Sequence, residues 1–228
     1  MMINFLPQAV LFDLDGTLVD TAPDFVRVLN NMRVKYGRSA LTSEQIRPAV
    51  SAGARAMVGV GFPEYELESS EFAKLRQEFL DAYGADICQE SQLFLGLDTL
   101  LKSLETNEIP WGIVTNKPRI YSEALLLALN LTQRCAVLVC PDDVSQTKPH
   151  PEPMYLACKQ LNVDPRQTVY VGDHIRDIQA GKNANMTTIA VGFGYIVAGE
   201  DINDWQANHC AQTVDDLIAY FNFNETTP

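Results

Sequence analysis

Four consecutive apolar residues, Ala9, Val10, Leu11 and Phe12, run directly into Asp13, Leu14, Asp15, Gly16 and Thr17. An apolar run this short, ended by acids and a glycine turn, predicts a buried strand. The pattern then changes. Phe25, Val28, Leu29, Met32 and Tyr36 recur at three- and four-residue steps until Gly37, which predicts an amphipathic helix with a glycine stop. Thr42 with Gln45 forms a capping-box pattern for a second helix, and Phe72, Leu75, Phe79, Leu80 and Tyr83 mark a later one ending near Gly84. From about residue 20 to 92 the chain reads almost wholly helical.

Beyond Leu97 strands and helices alternate. A helix with Leu97, Leu100, Leu101 and Leu104 precedes a strand from Trp111 to Val114 and a helix through Leu125 to Leu129. Ala136 to Val139 and Thr168 to Val171 read as further buried strands; Met154 to Leu161 and Ile175 to Ala184 read as crossover helices. Continuous apolar strands separated by helices imply a parallel sheet covered on both faces. The expected fold class is therefore α/β: a doubly wound, Rossmann-like parallel-sheet core (residues 1–19 and 93–228) with a helical cap (20–92) inserted after the first strand.

With 228 residues and 46% hydrophobic content the chain can bury a sizeable core. Its formal charge of −12 repels phosphate backbones and anionic surfaces, so neither nucleic acid nor membrane is an expected partner. An anionic substrate would need local positive charge. Cys88, Cys135, Cys140, Cys158 and Cys210 form no CxxC pair, which disfavours a zinc cluster or a disulfide framework. Asp13 interrupts the one early hydrophobic run, leaving no signal-peptide pattern, and the expected location is the cytoplasm. A monomer and a small homo-oligomer both stay open.

In parallel sheets ligands bind at the carboxyl ends of strands, so residues that follow each expected strand are the ones to collect. The first strand delivers Asp13 and Asp15, the Trp111 strand Thr115 and Asn116, the loop after Val139 Lys148, and the Val171 strand Gly172, Asp173 and Asp177. Hard oxygen ligands suit Mg²⁺, and lysine with metal neutralises phosphate oxygens as charge builds. This set fits metal-assisted phosphoryl transfer. Each motif alone is weak, since acids also cap helices and lysines sit in solvated loops; four in order are specific. His174 is assigned no chemistry.

The ordered set DLDGT, TN, Lys148 before Pro149, and GDHIRD resembles the haloacid dehalogenase superfamily of aspartate-nucleophile phosphatases. That resemblance implies that Asp13 is the nucleophile and Asp15 the general acid and base. It further implies that Mg²⁺ is held by Asp13, Asp173 and the Asp15 carbonyl. Thr115, the Asn116 backbone and Lys148 would hold the phosphoryl oxygens, and Asp173 or Asp177 would position Lys148. SAGARAMV, WGIVTNKP, YVGDHIRDIQAG and the tripeptide Gly194, Tyr195, Ile196 are similar to the phosphoglycolate phosphatase-like branch and, within it, to the N-acetylmuramic acid 6-phosphate phosphatases of peptidoglycan recycling. The implied partner is a small phosphorylated metabolite. Both candidate substrates carry a carboxylate, for which Gly53 and Arg55 in the cap are the expected specificity residues.

Rival classes share parts of this pattern. A phosphomutase would pass the phosphoryl group to a sugar hydroxyl instead of water. A dehalogenase needs no acid at position 15. A phospho-receiver module, the non-enzymatic alternative, carries its acceptor in mid-sheet and has no insertion of this length.

Overall fold

The computed structural model describes residues 6–221; residues 1–5 and 222–228, which the sequence reading assigns to the core, lie outside the described residues. Eight strands occur among them: β1 Ala9–Phe12, β2 Val19–Asp20, β3 Gln92–Leu93, β4 Trp111–Val114, β5 Val137–Val139, β6 Thr168–Gly172, β7 Thr187–Val191 and β8 His209–Ala211. Six form one parallel sheet in the order β5-β4-β1-β6-β7-β8. β1 lies at its centre. The chain leaves β1 for one side and returns to the other, so the carboxyl end of β1 sits at the topological switch point where α/β sheets bind ligands.

Alternation along the strands builds two cores. Val10, Phe12, Trp111, Ile113, Val169 and Val171 face one layer with the leucines of α5 (Leu97–Thr106) and Leu125 and Leu126 of α6 (Arg119–Ala128). Leu11, Val114 and Tyr170 face the other, with α7 (Glu152–Leu161) and α8 (Ile175–Asn183). Truncating a residue such as Leu11, wholly buried at the sheet centre, would cost about 2–5 kcal/mol in lost transfer energy and a residual cavity. Gly112 is required by close approach, because a Cβ there would meet Val137 Cγ1 at 2.3 Å and the Val137 carbonyl at 2.8 Å.

Between β2 and β3 lie α1 (Ala22–Lys35), α2 (Ser43–Ile46), α3 (Ala54–Gly61) and α4 (Ser70–Ala85). They bury their own cluster, with Phe25, Leu29, Ile46, Val58, Phe62, Phe72, Phe79 and Tyr83 at its centre. The two chain crossings are joined by the antiparallel β2–β3 pair and by Asp24. The buried Asp24 carboxylate accepts the N–H groups of Gln89, Glu90 and Ser91 at 3.2, 3.2 and 2.9 Å, binding the start of α1 to the returning strand. Gln45 accepts from the Thr42 N–H at 2.9 Å, as the capping-box pattern indicates.

Several elements escape the periodicity argument. The three-residue β8, half-buried at the sheet edge, and α9 (Val214–Tyr220) are too short to present a repeating pattern, while β7 is as long as β6 and its apolar run Ile189 to Val191 was a signal available in the sequence. No helix among the described residues is long and apolar enough to cross a membrane.

Candidate active site

Asp13 follows the last residue of β1, and its N–H continues the ladder by donating to the Val171 carbonyl at 2.9 Å. The position of Asp13 is therefore fixed by the sheet itself. Carboxylate oxygens of Asp13, Asp173 and Asp177 all lie within 4.8 Å of one another, and all three residues are buried. Lys148 enters from the loop after β5. Its ammonium lies 2.8 Å from Asp13 Oδ1 and 2.7 Å from Asp177 Oδ1, and donates to the Val114 carbonyl at 3.0 Å and to Tyr170 Oη at 2.9 Å. Of the two acids expected to position Lys148, Asp177 makes the contact. Asp173 is held elsewhere, accepting from Thr17 Oγ1 at 2.9 Å, the Tyr195 N–H at 2.9 Å and Ser51 Oγ at 3.2 Å.

Glycines make this clustering possible. Gly16, at φ +84°, faces Asp173 so closely that a Cβ would come within 2.2 Å of its Oδ2; at Gly172 a Cβ would meet the Asp177 side chain at 2.3 Å. Asp177 also accepts the His174 N–H at 3.0 Å, so the start of α8 and the lysine share one carboxylate.

The electrostatics follow from three buried acids facing one lysine. Burial raises the Asp173 carboxyl, and the Asp13 and Asp177 charges push it further, to about 7. Burial likewise lifts Asp177, to about 6 despite Lys148. Burial alone would raise Asp13 too, but its pairing with Lys148 prevails and holds it below the usual carboxylate range. Burial would lower Lys148, yet Asp13 and Asp177 together raise it. Negative charge exceeds positive in this cluster. Hard, buried oxygen donors at this separation fit a divalent cation.

Asp15 stands in a different setting. Thr21 Oγ1 donates to it at 2.6 Å and Lys117 Nζ at 3.0 and 3.3 Å. Lys117 also donates to Tyr83 Oη at 3.0 Å and lies 4.6 Å from the ring centroids of both Phe25 and Tyr83. The helical insertion thus supplies the aromatic walls around the lysine that holds Asp15.

A cavity of about 340 Å³ opens where insertion and core meet, lined by Asp13, Asp15, Thr115, Asn116, Lys117 and Arg176 from one side and by Ser51, Gly53, Arg55, Arg76 and Tyr83 from the other. Thr115 and Asn116 therefore reach the same space as the two aspartates. Gly53 adopts φ +82° at the start of α3. Arg55 lines the cavity but pairs with Glu68, and half of its side chain is exposed. His174 caps α8, its Nδ1 accepting the Arg176 N–H at 3.2 Å, and burial lowers the ring to about 4.

Sequence reasoning passed over Lys117, Arg176 and the double role of Tyr195. The Tyr195 N–H holds Asp173, while its hydroxyl accepts the Thr21 and Ala22 N–H groups at 2.7 and 2.9 Å and donates to Asp20 Oδ1 at 2.9 Å. One residue thus joins the acid cluster to the start of the insertion. Lys117 stands beside Thr115 and Asn116 in TNKP, and its position one residue beyond the strand-end pair is a signal that was available.

The model of haloacid dehalogenase-like hydrolases matches residues 10–191, and the chain belongs to that family. Among curated relatives, the N-acetylmuramic acid 6-phosphate phosphatase of Pseudomonas putida is 45% identical over 88% of this chain and 90% of its own length. The phosphoglycolate phosphatase of Xanthomonas campestris pv. campestris is 43% identical over 89% of this chain and 90% of its own. The crystal structure of a predicted phosphoglycolate phosphatase from Haemophilus somnus superposes with a TM-score of 0.83 over 95% of this chain and 98% of that one, at 24% identity, and shows the same fold.

Proposed function

We propose that the protein is a cytoplasmic, Mg²⁺-dependent phosphatase that hydrolyses a small phosphate monoester, N-acetylmuramic acid 6-phosphate, through an aspartyl-phosphate on Asp13. The observation that carries this reading is the convergence of Asp13, Asp15 and Thr115 on one cavity, with Lys148 2.8 Å from Asp13. Lys148 and Asp13 form a charge pair that keeps the nucleophile ionised, with one oxygen held and the second left for phosphorus. Asp13 attacks phosphorus as the bond to the ester oxygen breaks, and Asp15 donates the proton that this leaving oxygen takes. Asp15 then removes a proton from water, whose oxygen attacks the same phosphorus and breaks its bond to Asp13, releasing inorganic phosphate. Thr115 and the Asn116 N–H, which line the same cavity, would donate to the phosphoryl oxygens. Asp13, Asp173 and the Asp15 carbonyl would hold Mg²⁺, with Asp177 behind them on Lys148. The ion would supply charge neutralisation at the phosphoryl oxygens.

Residues 20–92 act as the cap that closes over substrate, with Gly53 and Arg55 on its approach. A cavity of about 340 Å³ falls within the range of ligand pockets and is far more than a two-carbon acid fills, which favours the sugar phosphate. The second reading, 2-phosphoglycolate, is supported by the 43%-identical relative of that name. The test is a panel of phosphate esters with released phosphate measured. N-acetylmuramic acid 6-phosphate should have the highest kcat/KM, and fast turnover of 2-phosphoglycolate alone would replace the first reading with the second. Appearance of an isomeric sugar phosphate in place of inorganic phosphate would indicate a mutase.

A further inference from the structure

Four cationic side chains line the cavity: Arg55, Arg76, Lys117 and Arg176. Three are already engaged. Lys117 holds Asp15, Arg176 donates to the Ser51 carbonyl, and Arg55 pairs with Glu68. Arg76 makes no hydrogen bond or ion pair among the described residues. Arg76 is exposed at the cavity wall, so its charge is open to a ligand that enters there.

Its place on α4 gives that charge a direction. Arg76, Leu80 and Tyr83 follow the i, i+4, i+7 spacing of one helix face, and all three line the cavity. Tyr83 marks the inner end, since its hydroxyl accepts from the lysine that holds Asp15. At the helical rise per residue, Arg76 stands about 10 Å further along the axis. The surface between is apolar: Leu80, Phe25, Pro118 and Tyr121 line it. Tyr121 closes that wall against α4, its hydroxyl donating to the Leu80 carbonyl at 3.4 Å and its ring centroid 5.6 Å from that of Tyr83.

We propose that Arg76 binds a second anionic group of the substrate, a carboxylate separated from the phosphate by a sugar ring. This inference rests on the phosphatase reading above and sharpens it. In 2-phosphoglycolate the carboxylate follows the phosphate ester after a single carbon and would stay at the Tyr83 end. In N-acetylmuramic acid 6-phosphate the lactyl carboxylate lies across the hexose and reaches outward, toward Arg76. The planar guanidinium offers the fork that a carboxylate accepts. Arg76 is then a specificity residue, distinct from the groups that act on phosphorus.

The experiment compares wild type, Arg76→Ala, Arg76→Lys and Arg55→Ala on N-acetylmuramic acid 6-phosphate and on N-acetylglucosamine 6-phosphate, which lacks the lactyl carboxylate. The expected result is that Arg76→Ala lowers the ratio of the two kcat/KM values by about 10- to 100-fold, the range of a lost charged hydrogen bond, chiefly through KM for the carboxylated sugar. Arg76→Lys should recover part of that ratio. Arg55→Ala should lower it less, because Glu68 already competes for that guanidinium. An unchanged ratio in Arg76→Ala, or a loss shared equally by both sugars, overturns the assignment of Arg76 and leaves the phosphatase reading intact. Wild-type enzyme that releases no phosphate from N-acetylmuramic acid 6-phosphate overturns the substrate reading and this inference with it.

Discussion

Two buried lysines hold the two aspartates of DLDGT, and their surroundings differ in kind. Lys148 lies wholly within the α/β core, its side chain fully buried between Asp13 and Asp177. Lys117 lies at the seam, with 5% of its side chain exposed, between Asp15 from the core and Phe25 and Tyr83 from the insertion. Burial works against both ammonium groups, but the outcome has opposite sign. Two close carboxylates overcome it at Lys148, whose pKa is raised; a single, partly solvated carboxylate does not at Lys117, whose pKa is lowered. The setting of Asp13 is thus built within the α/β core, whereas that of Asp15 is complete only where the insertion lies against the core.

The sharpest way to break this contrast is to replace each lysine by methionine. Lys148→Met leaves buried carboxylates without their cation and should cost about 3–5 kcal/mol in denaturant unfolding, with loss of turnover. Lys117→Met removes a charge whose burial outweighs its pairing, and Asp15 retains Thr21 and some water, so stability should change by no more than about 1 kcal/mol. Its effect should fall on kcat, by about 10- to 100-fold. Equal destabilisation by the two substitutions would erase the distinction.

A smaller effect sharpens it further. Asp173 and Asp177 have folded-state pKa values raised to about 7 and about 6, above the ordinary 3.8, so the folded chain holds protons that the unfolded chain has released. Their stabilising contribution is complete below about pH 4 and is lost as pH rises through 6 and 7. Asp13, lowered instead, contributes stability that is fully present above its ordinary value and is lost only as pH falls below it, outside this range. In EDTA the melting temperature should therefore decline from pH 5 to pH 8. Added Mg²⁺ should raise it more at pH 8 than at pH 5, because deprotonated acids bind the ion. A rise that is the same at both pH values would separate the metal from these carboxylates.

The acidic motifs are legible because each is short and contiguous with a strand whose apolar run announces it. DLDGT follows Ala9–Phe12 and GDHIRD follows Val169–Val171, so the rule that ligands gather at strand ends sufficed to assemble Asp13, Asp15, Asp173 and Asp177. What could not be read is the pairing among distant residues. Lys117 meets Asp15 across 102 positions and Tyr195 meets Thr21 across 174, separations over which no local pattern records a partner. Arg76 carries no signal of its own: on α4 it reads as one more exposed polar position between buried Phe72, Leu75 and Phe79. Only the fold shows that its face of α4 looks into the cavity. Arg55 illustrates the converse, since its motif points to the cavity while the structure pairs it with Glu68.

In the proposed function Asp13 takes the phosphoryl group and Asp15 manages the protons. Asp15→Asn, incubated with substrate and Mg²⁺ and quenched in acid, should turn over about 10²- to 10⁴-fold more slowly and accumulate one phosphoryl group on the peptide that contains Asp13, as read by mass spectrometry. The label should be absent in Asp13→Asn. A phosphoryl group found on another residue, or steady hydrolysis by Asp13→Asn, would contradict the account.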